Sequence, residues 1–544
     1  MNKNDIVVTK VDAMNSEGNG VARVDGMAVF IPFSAVGDEG TVRIEKVQKN
    51  YAYGRFTHLS IPSPARQEPG CDAYVKCGGC CFRHVTYEEE LRYKEQFVKD
   101  ALRRIGGLDA GVAPILPSPS VGGYRNKVQF PVASEEDGTL YPGFYSARSH
   151  RVVRTAECCS LQPEIMDRIA LDVCRILTDA GAAAYDEKTF KGLIRHLLIR
   201  RSSLDGSILL CIVVNSADYV LPSEALEALL EEHPEITTVV IDHNTSRGNE
   251  ILSPHVTTLY GPGYIKDEIC GVPVRITALS FFQINKGSTE ILYNNINRFA
   301  DLQEGETLFD LYCGAGTIGL AVSRPGTELY GIEVIPDAVE SAVAAAEEMG
   351  RSEEAHFICS DSSAMGSLSK KGIHPQVIIT DPPRKGCSVE VLSNIVSASP
   401  DRIVMVSCNA ATLARDLKYL CENGYSVKAV QPVDMFPRTK HVETVVQLSK
   451  GNISSEKVRV EFSLEDMDMS RFQQGATYEQ IQDWVKEKYG FHVTHLNIAK
   501  TKRKCGIIER QNYNLPKSEG SRSPETPREK EKAIIEAFRH FGMI

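Results

Sequence analysis

Between residues 307 and 449 six short apolar segments (308–312, 329–333, 356–359, 377–380, 403–406 and 442–448) alternate with stretches of helix length. Strands separated this way must lie mainly parallel, because each helical crossover returns the chain to the same end of the sheet, and the helices then cover its faces. A chain of 544 residues is too long for one hydrophobic core, so further modules are expected around this α/β unit.

Residues 1–60 contain short alternating segments (6–8, 20–24, 27–31 and 40–44) punctuated by Gly, Asp and Pro, which predicts a small β-barrel serving either RNA binding or a structural cap. Residues 61–280 mix a charged helix (87–105), strands (127–130, 208–214, 237–241) and helices (163–180, 223–233), the pattern of a central α+β domain. Its clusters Tyr124-Arg125-Asn126-Lys127, Arg195-His196 and Arg200-Arg201 read either as solvated surface charge or as an RNA track beside the cofactor cleft, since aromatic residues next to Arg and Lys suit phosphate pairing and base stacking. The α/β unit occupies 281–450. A small appendage, 451–544, carries a helix at 478–489, a basic run Lys500 to Lys504, a Pro/Ser/Lys/Glu-rich loop at 516–527 and a closing helix.

Sixty-one basic against 71 acidic side chains leave a net charge of −10, so contact with a polyanion must use local basic patches. No apolar run reaches the roughly 18 residues that span a bilayer, and Met1 to Asp5 has no apolar signal core behind it; a cytoplasmic, membrane-free protein is expected. Fifteen cysteines, an odd number, point to metal, cluster or catalytic thiols instead of a disulfide framework.

Gly314-Ala315-Gly316-Thr317-Ile318-Gly319 follows a strand and opens a helix, with Glu333 19 residues past Gly314 at the end of the next strand. Such glycines let a ligand approach the backbone while the carboxylate accepts ribose hydroxyls; NAD and S-adenosylmethionine both fit this outline. Asp381-Pro382-Pro383-Arg384 ends another strand in a rigid turn, and an arginine where an aromatic would stack on an amine-bearing base disfavours amine methylation. Cys408 sits between a strand and a helix N-terminus, whose dipole stabilises a thiolate. Glu443 opens the last strand. A thiolate that adds to carbon 6 of uracil makes carbon 5 nucleophilic toward a sulfonium methyl, and a base must then remove the carbon 5 proton; Cys408 and Glu443 offer these two groups. Cys71, Cys77 and Cys80, spaced C-x5-C-x2-C, have Cys81 and Cys158-Cys159 available as companions, which predicts zinc or an iron–sulfur centre.

At these residues the sequence strongly resembles the S-adenosylmethionine-dependent RNA (uracil-5-)-methyltransferases, in particular the cluster-containing 23S ribosomal RNA branch, over residues 1 to about 450. Residues 6–58 look like that branch's TRAM domain. The resemblance implies a [4Fe-4S] cluster on Cys71, Cys77, Cys80 and Cys159, the last matched by the Ser160-Leu161-Gln162 that follows it. Ser280-Phe281-Phe282-Gln283-Ile284-Asn285 resembles a cofactor segment in which Gln283 meets the methionine part; Tyr312, Gly314, Gly316, Glu333, Asp361 and Asp381 are implied as further cofactor contacts. Ser407-Cys408-Asn409 is similar to the nucleophile motif and Phe436 through Thr444 to the base motif, with Ala410 where proline is usual and Arg438 where Gln or His is usual. The implied activity is methylation of a 23S ribosomal RNA uridine in a loop or bulge, by a monomer. A transfer-RNA uracil-5 methyltransferase and a non-catalytic, cluster-bearing RNA-binding protein are the alternatives. The appendage lies outside the resemblance; its basic run suits RNA contact or a solvated face.

Overall fold

The structure, a computed structural model, describes residues 1–155, 159–450, 478–505 and 527–541. Cys158 and most of the 516–527 loop lie outside these residues. The chain forms two compact units, 1–453 and 454–544.

At the front, six strands form one curled sheet in the order Ile6–Lys10, Glu39–Val47, Tyr51–Ile61, Met27–Pro32, Asn19–Val24, Ala13–Met14. Alternate residues Val29, Ile31, Val42 and Ile44 point inward and are fully buried, the period-2 pattern of a strand with one wet face. The sequence pattern misses the longest strand, Tyr51–Ile61, because its outer half carries Arg55, His58 and Ser60 toward solvent.

The central sheet has seven strands, with Ile194–Arg201, Ile208–Val214 and Ile236–His243 at its middle. Leu197, Ile199, Leu210 and Ile212 face helix Glu164–Asp179, while Leu198, Leu209, Cys211 and Val213 face the opposite way into a core shared with the α/β unit. The two sheets therefore close over one continuous apolar layer.

The α/β unit is a seven-stranded sheet in the order Ala355–Cys359, Glu328–Glu333, Thr307–Leu311, Val377–Thr380, Arg402–Ser407, Glu443–Lys450, Tyr425–Val433. The first five strands are parallel, and Glu443–Lys450 runs antiparallel to both its neighbours. Leu308, Ile379, Val404 and Val406 pack to one face, Phe309, Ile378, Ile403 and Met405 to the other. The edge strand Tyr425–Val433 is absent from the sequence reading, since Lys428 and Pro432 interrupt its apolar pattern. Its outer edge is covered where Val112 and Leu116 bridge to Val430 and Val433. Helix Tyr87–Ala101, from the front of the chain, packs on the same sheet through Val98 and Ala101.

Unit 454–544 contains helices Tyr478–Tyr489, His495–Lys504 and Arg528–His540 around Ile481, Val485, Ile498, Ile534 and Phe538. Among the described residues no helix is long and apolar enough to cross a membrane.

Candidate active site

The strand registers Leu311↔Ile332, Ile332↔Ile358, Leu311↔Thr380 and Thr380↔Met405 align the carboxyl ends of five strands. Tyr312, Glu333, Asp361, Asp381 and Cys408 consequently share one edge, the edge at which open α/β sheets bind ligands, beside the switch point between Thr307–Leu311 and Val377–Thr380. Because Glu443–Lys450 runs the other way, its first residue arrives at that same edge. The ladder pairs Val406 with Val445 and Ser407 with Thr444; one step further brings Cys408 opposite Glu443.

Asn409 caps helix Ala410–Glu422, its side-chain oxygen accepting from Ala411 N at 3.0 Å and Thr412 N at 3.4 Å, so the turn after Cys408 is held without a proline. The Arg384 carbonyl accepts from Asn409 Nδ2 at 3.2 Å and Thr412 Oγ1 at 3.3 Å. Arg415 donates to the carbonyls of Lys385 and Cys387, and Asp416 accepts from Cys387 N. The Asp-Pro-Pro-Arg turn is thereby clamped to the helix that follows Cys408. The Arg384 guanidinium lies 3.4 Å from His441 Nε2.

Burial pushes the Cys408 thiol up to about 11, the Glu443 charge adds to this, and Arg384 opposes it. The expected helix-dipole activation is therefore outweighed: the thiol is protonated at rest, and Arg384 is the group that favours its ionisation. Burial raises the Glu443 carboxyl to about 8, with Asp381 adding and Arg384 opposing. Burial raises Asp381 to about 6. His441, depressed to about 4 by burial and by Arg384, is neutral.

At the other end of the edge, Gly314 (φ +54°) has open space where a side chain would stand, whereas a Cβ on Gly316 (φ +73°) would meet Phe357 at 2.8 Å. Glu333 accepts from the amides of Gly314, Val334 and Ile335. Asp310, raised to about 7 by burial, accepts from Gly319 N with Oδ2, while its buried Oδ1 has no partner. An open glycine turn, an anchored carboxylate and an orphan acceptor suit the hydroxyl and ammonium groups of an amino-acid nucleoside such as S-adenosylmethionine. Asp361 is exposed and Gln283 half-buried.

Away from this edge, Cys71, Cys77, Cys80 and Cys159 line one cavity of about 500 Å³ together with Arg83 and Arg125. The buried Nε atoms of both arginines have no partner. Gly79 N donates to Cys77 Sγ at 3.3 Å, and burial raises the Cys159 thiol to about 11. Thiol donors flanked by unsatisfied guanidinium nitrogens suit an anionic, thiolate-held centre. Cys81 is not on this cavity; its sulfur lies beside Gly18.

Residues 273–451 match the family model described as tRNA (Uracil-5-)-methyltransferase, and residues 5–57 match the TRAM domain. An RNA methyltransferase of Bacillus cereus is 38% identical over 450 residues, spanning 82% of this chain and 97% of its own. One from Clostridium tetani is 38% identical over 455 residues, spanning 82% and 98%. The chain belongs to the S-adenosylmethionine-dependent RNA (uracil-5-)-methyltransferase family. The crystal structure of Pyrococcus abyssi tRNA (uracil-54, C5)-methyltransferase in complex with S-adenosyl-L-homocysteine shares the fold of this methyltransferase, with TM-score 0.64, 24% identity, and coverage of 81% of this chain and 100% of that one.

In this uracil-5 methyltransferase Tyr124, Arg125, Arg195 and Arg200 of the basic–aromatic clusters are engaged inside the protein, neither a solvated face nor an open RNA track. Arg195 is buried and donates to the carbonyls of Asn244 and Ser246, Arg200 is buried against the carbonyls of Ala278 and Ser280, and the Tyr124 hydroxyl donates to Pro437 O. Arg125 belongs to the cysteine cavity. Each guanidinium satisfies loop carbonyls or faces thiols, a use that composition cannot distinguish from phosphate binding. The sequence reading also gave Arg384 no catalytic part, although its place after Asp-Pro-Pro marked it as unusual.

Proposed function

We propose that this methyltransferase modifies carbon 5 of a uridine in 23S ribosomal RNA, with Cys408 as nucleophile and Glu443 as base. The observation that carries the reading is the register that pairs Ser407 with Thr444, the neighbours of Cys408 and Glu443, together with the pull that Arg384 exerts on both groups. S-adenosylmethionine supplies the methyl group, held by Gln283, Tyr312, Gly314, Gly316, Glu333, Asp361 and Asp381. Ionised beside Arg384, the Cys408 sulfur bonds to carbon 6, and the carbon 5–carbon 6 electron pair moves onto carbon 5 as an enolate. After carbon 5 takes the methyl, Glu443 accepts the carbon 5 proton and the sulfur–carbon 6 bond breaks, returning the thiolate and 5-methyluridine. A carboxyl raised to about 8 suits this step, since a base works best with a pKa near the operating pH.

Cys71, Cys77, Cys80 and Cys159 would hold a [4Fe-4S] cluster. The donor set, four thiols beside the Arg83 and Arg125 guanidinium groups, suits an anionic, thiolate-held centre. The cluster would brace the front of the molecule; its cysteines are remote in sequence from Cys408 and Glu443.

The front barrel and the cysteine set favour a ribosomal target; a cytoplasmic monomer is part of the same proposal. A transfer-RNA target is the second reading, suggested by the matched family description and by the substrate in the name of the Pyrococcus abyssi protein. A target uracil must be unstacked for Cys408 to reach carbon 6, so a loop or bulge is the substrate. The test has two parts: 5-methyluridine mapping in RNA from cells lacking the gene, and adduct trapping. Glu443→Gln accumulates a covalent protein–RNA adduct and Cys408→Ala forms none. Loss of the mark from transfer RNA alone would select the second reading, and equal adduct-free activity of both variants would remove the roles assigned to these residues.

A further inference from the structure

The segment that bears Glu443 is held by the front of the chain through a charge network, beside the contacts that His441 and Thr444 make toward the segment that bears Cys408. Residues 434–442 connect strand Tyr425–Val433 to strand Glu443–Lys450. Lys94 of helix Tyr87–Ala101 is fully buried and donates to Glu90 Oε1 at 2.7 Å, Asp434 Oδ1 at 2.8 Å and Phe436 O at 3.1 Å. Tyr87 donates to the second Asp434 oxygen at 2.8 Å. At the tip of the connector stands Arg438, with φ +69°, a backbone region that a non-glycine residue keeps only when its surroundings impose it.

Three groups of Arg438 supply that constraint. Its amide donates to Glu90 Oε1 at 2.7 Å. Its carbonyl accepts from Cys81 N at 2.9 Å and Phe82 N at 3.2 Å, the two residues directly after Cys80. Its guanidinium donates to Val85 O at 3.2 Å and lies 3.5 Å from Glu90 Oε2, a buried oxygen without any hydrogen bond. Cys408 is mounted between Arg402–Ser407, which ladders with Val377–Thr380 and Glu443–Lys450, and helix Ala410–Glu422, whose side chains bond to the 384–387 turn.

We infer that Arg438 is a positioning residue for the second half of the reaction: it locks the connector to the cysteine-bearing segment, and so aims Glu443 at the carbon 5 proton without affecting attack by Cys408. The inference rests on Glu443 being the base. Misplacing a reacting group by about 1 Å costs on the order of a hundredfold in rate, so a loosened connector slows elimination while addition and methyl transfer proceed. The Arg438 guanidinium is the cation that faces the Glu90 oxygen left without a hydrogen bond.

The experiment compares Arg438→Ala, Arg438→Gln and Arg438→Lys with wild type and Glu443→Gln in single turnovers on a ribosomal RNA fragment. It measures methyl transfer to carbon 5, the lifetime of the denaturant-stable protein–RNA adduct, and S-adenosylmethionine affinity. Expected are adduct lifetimes longer by about tenfold or more in Arg438→Ala and Arg438→Gln, methyl transfer and cofactor affinity within about threefold of wild type, and recovery in Arg438→Lys. Arg438→Gln keeps side-chain bulk and guards against a variant that merely misfolds. Unchanged adduct lifetimes in the Ala and Gln variants, or methyl transfer slowed by the same factor as elimination, would overturn the inference. If Glu443→Gln traps adduct and the Arg438 variants do not, only the positioning role fails; if Glu443→Gln traps none, the assignment of the base fails and this inference with it.

Discussion

Ser407 lies opposite Thr444 in the antiparallel seam between Arg402–Ser407 and Glu443–Lys450, and the next step of that register carries Cys408 toward Glu443. Side chains opposite one another in such a ladder share a face, and a slip of one residue would turn one of the two away. The apolar run Val445-Val446 on one strand and Val404 to Val406 on the other, buried on both sides, makes the slip costly. Catalytic geometry is thus set by a core-packing constraint.

Elimination should depend on pH through Glu443. Its carboxyl is raised to about 8, first by burial and then by Asp381, and only the ionised form accepts a proton. The decay rate of a preformed adduct is expected to climb about tenfold per pH unit below 8 and level off above it. Stopped-flow quenching between pH 6 and 9.5 measures this; a flat profile would show that another group takes the proton.

The same shift sets a stability trend. A carboxyl whose folded pKa lies above its unfolded value is favoured when protonated, so its stabilising part is present at low pH and is lost as pH rises from about 4.5 to 8. Glu443→Gln removes that dependence. The variant should gain on wild type by a few kcal/mol, on the order of 1.4 per pKa unit, between pH 5 and pH 8.5. Urea unfolding at the two pH values tests it, and equal differences at both would contradict the burial of an ionisable Glu443.

Lys94→Met should be strongly destabilising. It leaves the buried Glu90 and Asp434 carboxylates with Arg438 as the remaining nearby cation, a loss of about 3–5 kcal/mol. Lys94→Met paired with Glu90→Gln should recover part of this. Denaturant midpoints of the two variants decide, and a single-variant cost below about 1 kcal/mol would mean that the network is hydrated.

Arg125→Ala is expected to lower bound iron and leave the salt dependence of RNA binding as in wild type, because its guanidinium faces the cysteines. Anaerobically purified wild type should carry about four irons per chain, the content of one [4Fe-4S] cluster. One zinc and no colour would refute the cluster; a flatter salt slope in Arg125→Ala would return this residue to the RNA surface.

The parallel sheet, the glycine turn and the Cys408–Glu443 edge were legible because each depends on local signals: strand-length apolar runs, a G-x-G spacing, and residues placed at strand ends. The roles of Arg195 and Arg200 were not, since a buried arginine that satisfies loop carbonyls has the same letter as one that binds phosphate. Helix Tyr87–Ala101 was foreseen for its charge-rich sequence, yet Glu90 and Lys94 are fully buried. Their partners, Asp434 and Arg438, stand more than 300 residues away, and no local period encodes that meeting.

That separation also has a cost in time. Lys94 leaves the ribosome 340 residues ahead of Asp434. At roughly 5–20 residues per second the interval is about 17 to 70 s, during which a helix already formed carries an ammonium and a carboxylate that belong in the interior but can only be hydrated. The nascent chain must keep that face open until the last strands of the α/β unit emerge, so a ribosome that stalls before residue 434 holds a chain whose active edge does not yet exist.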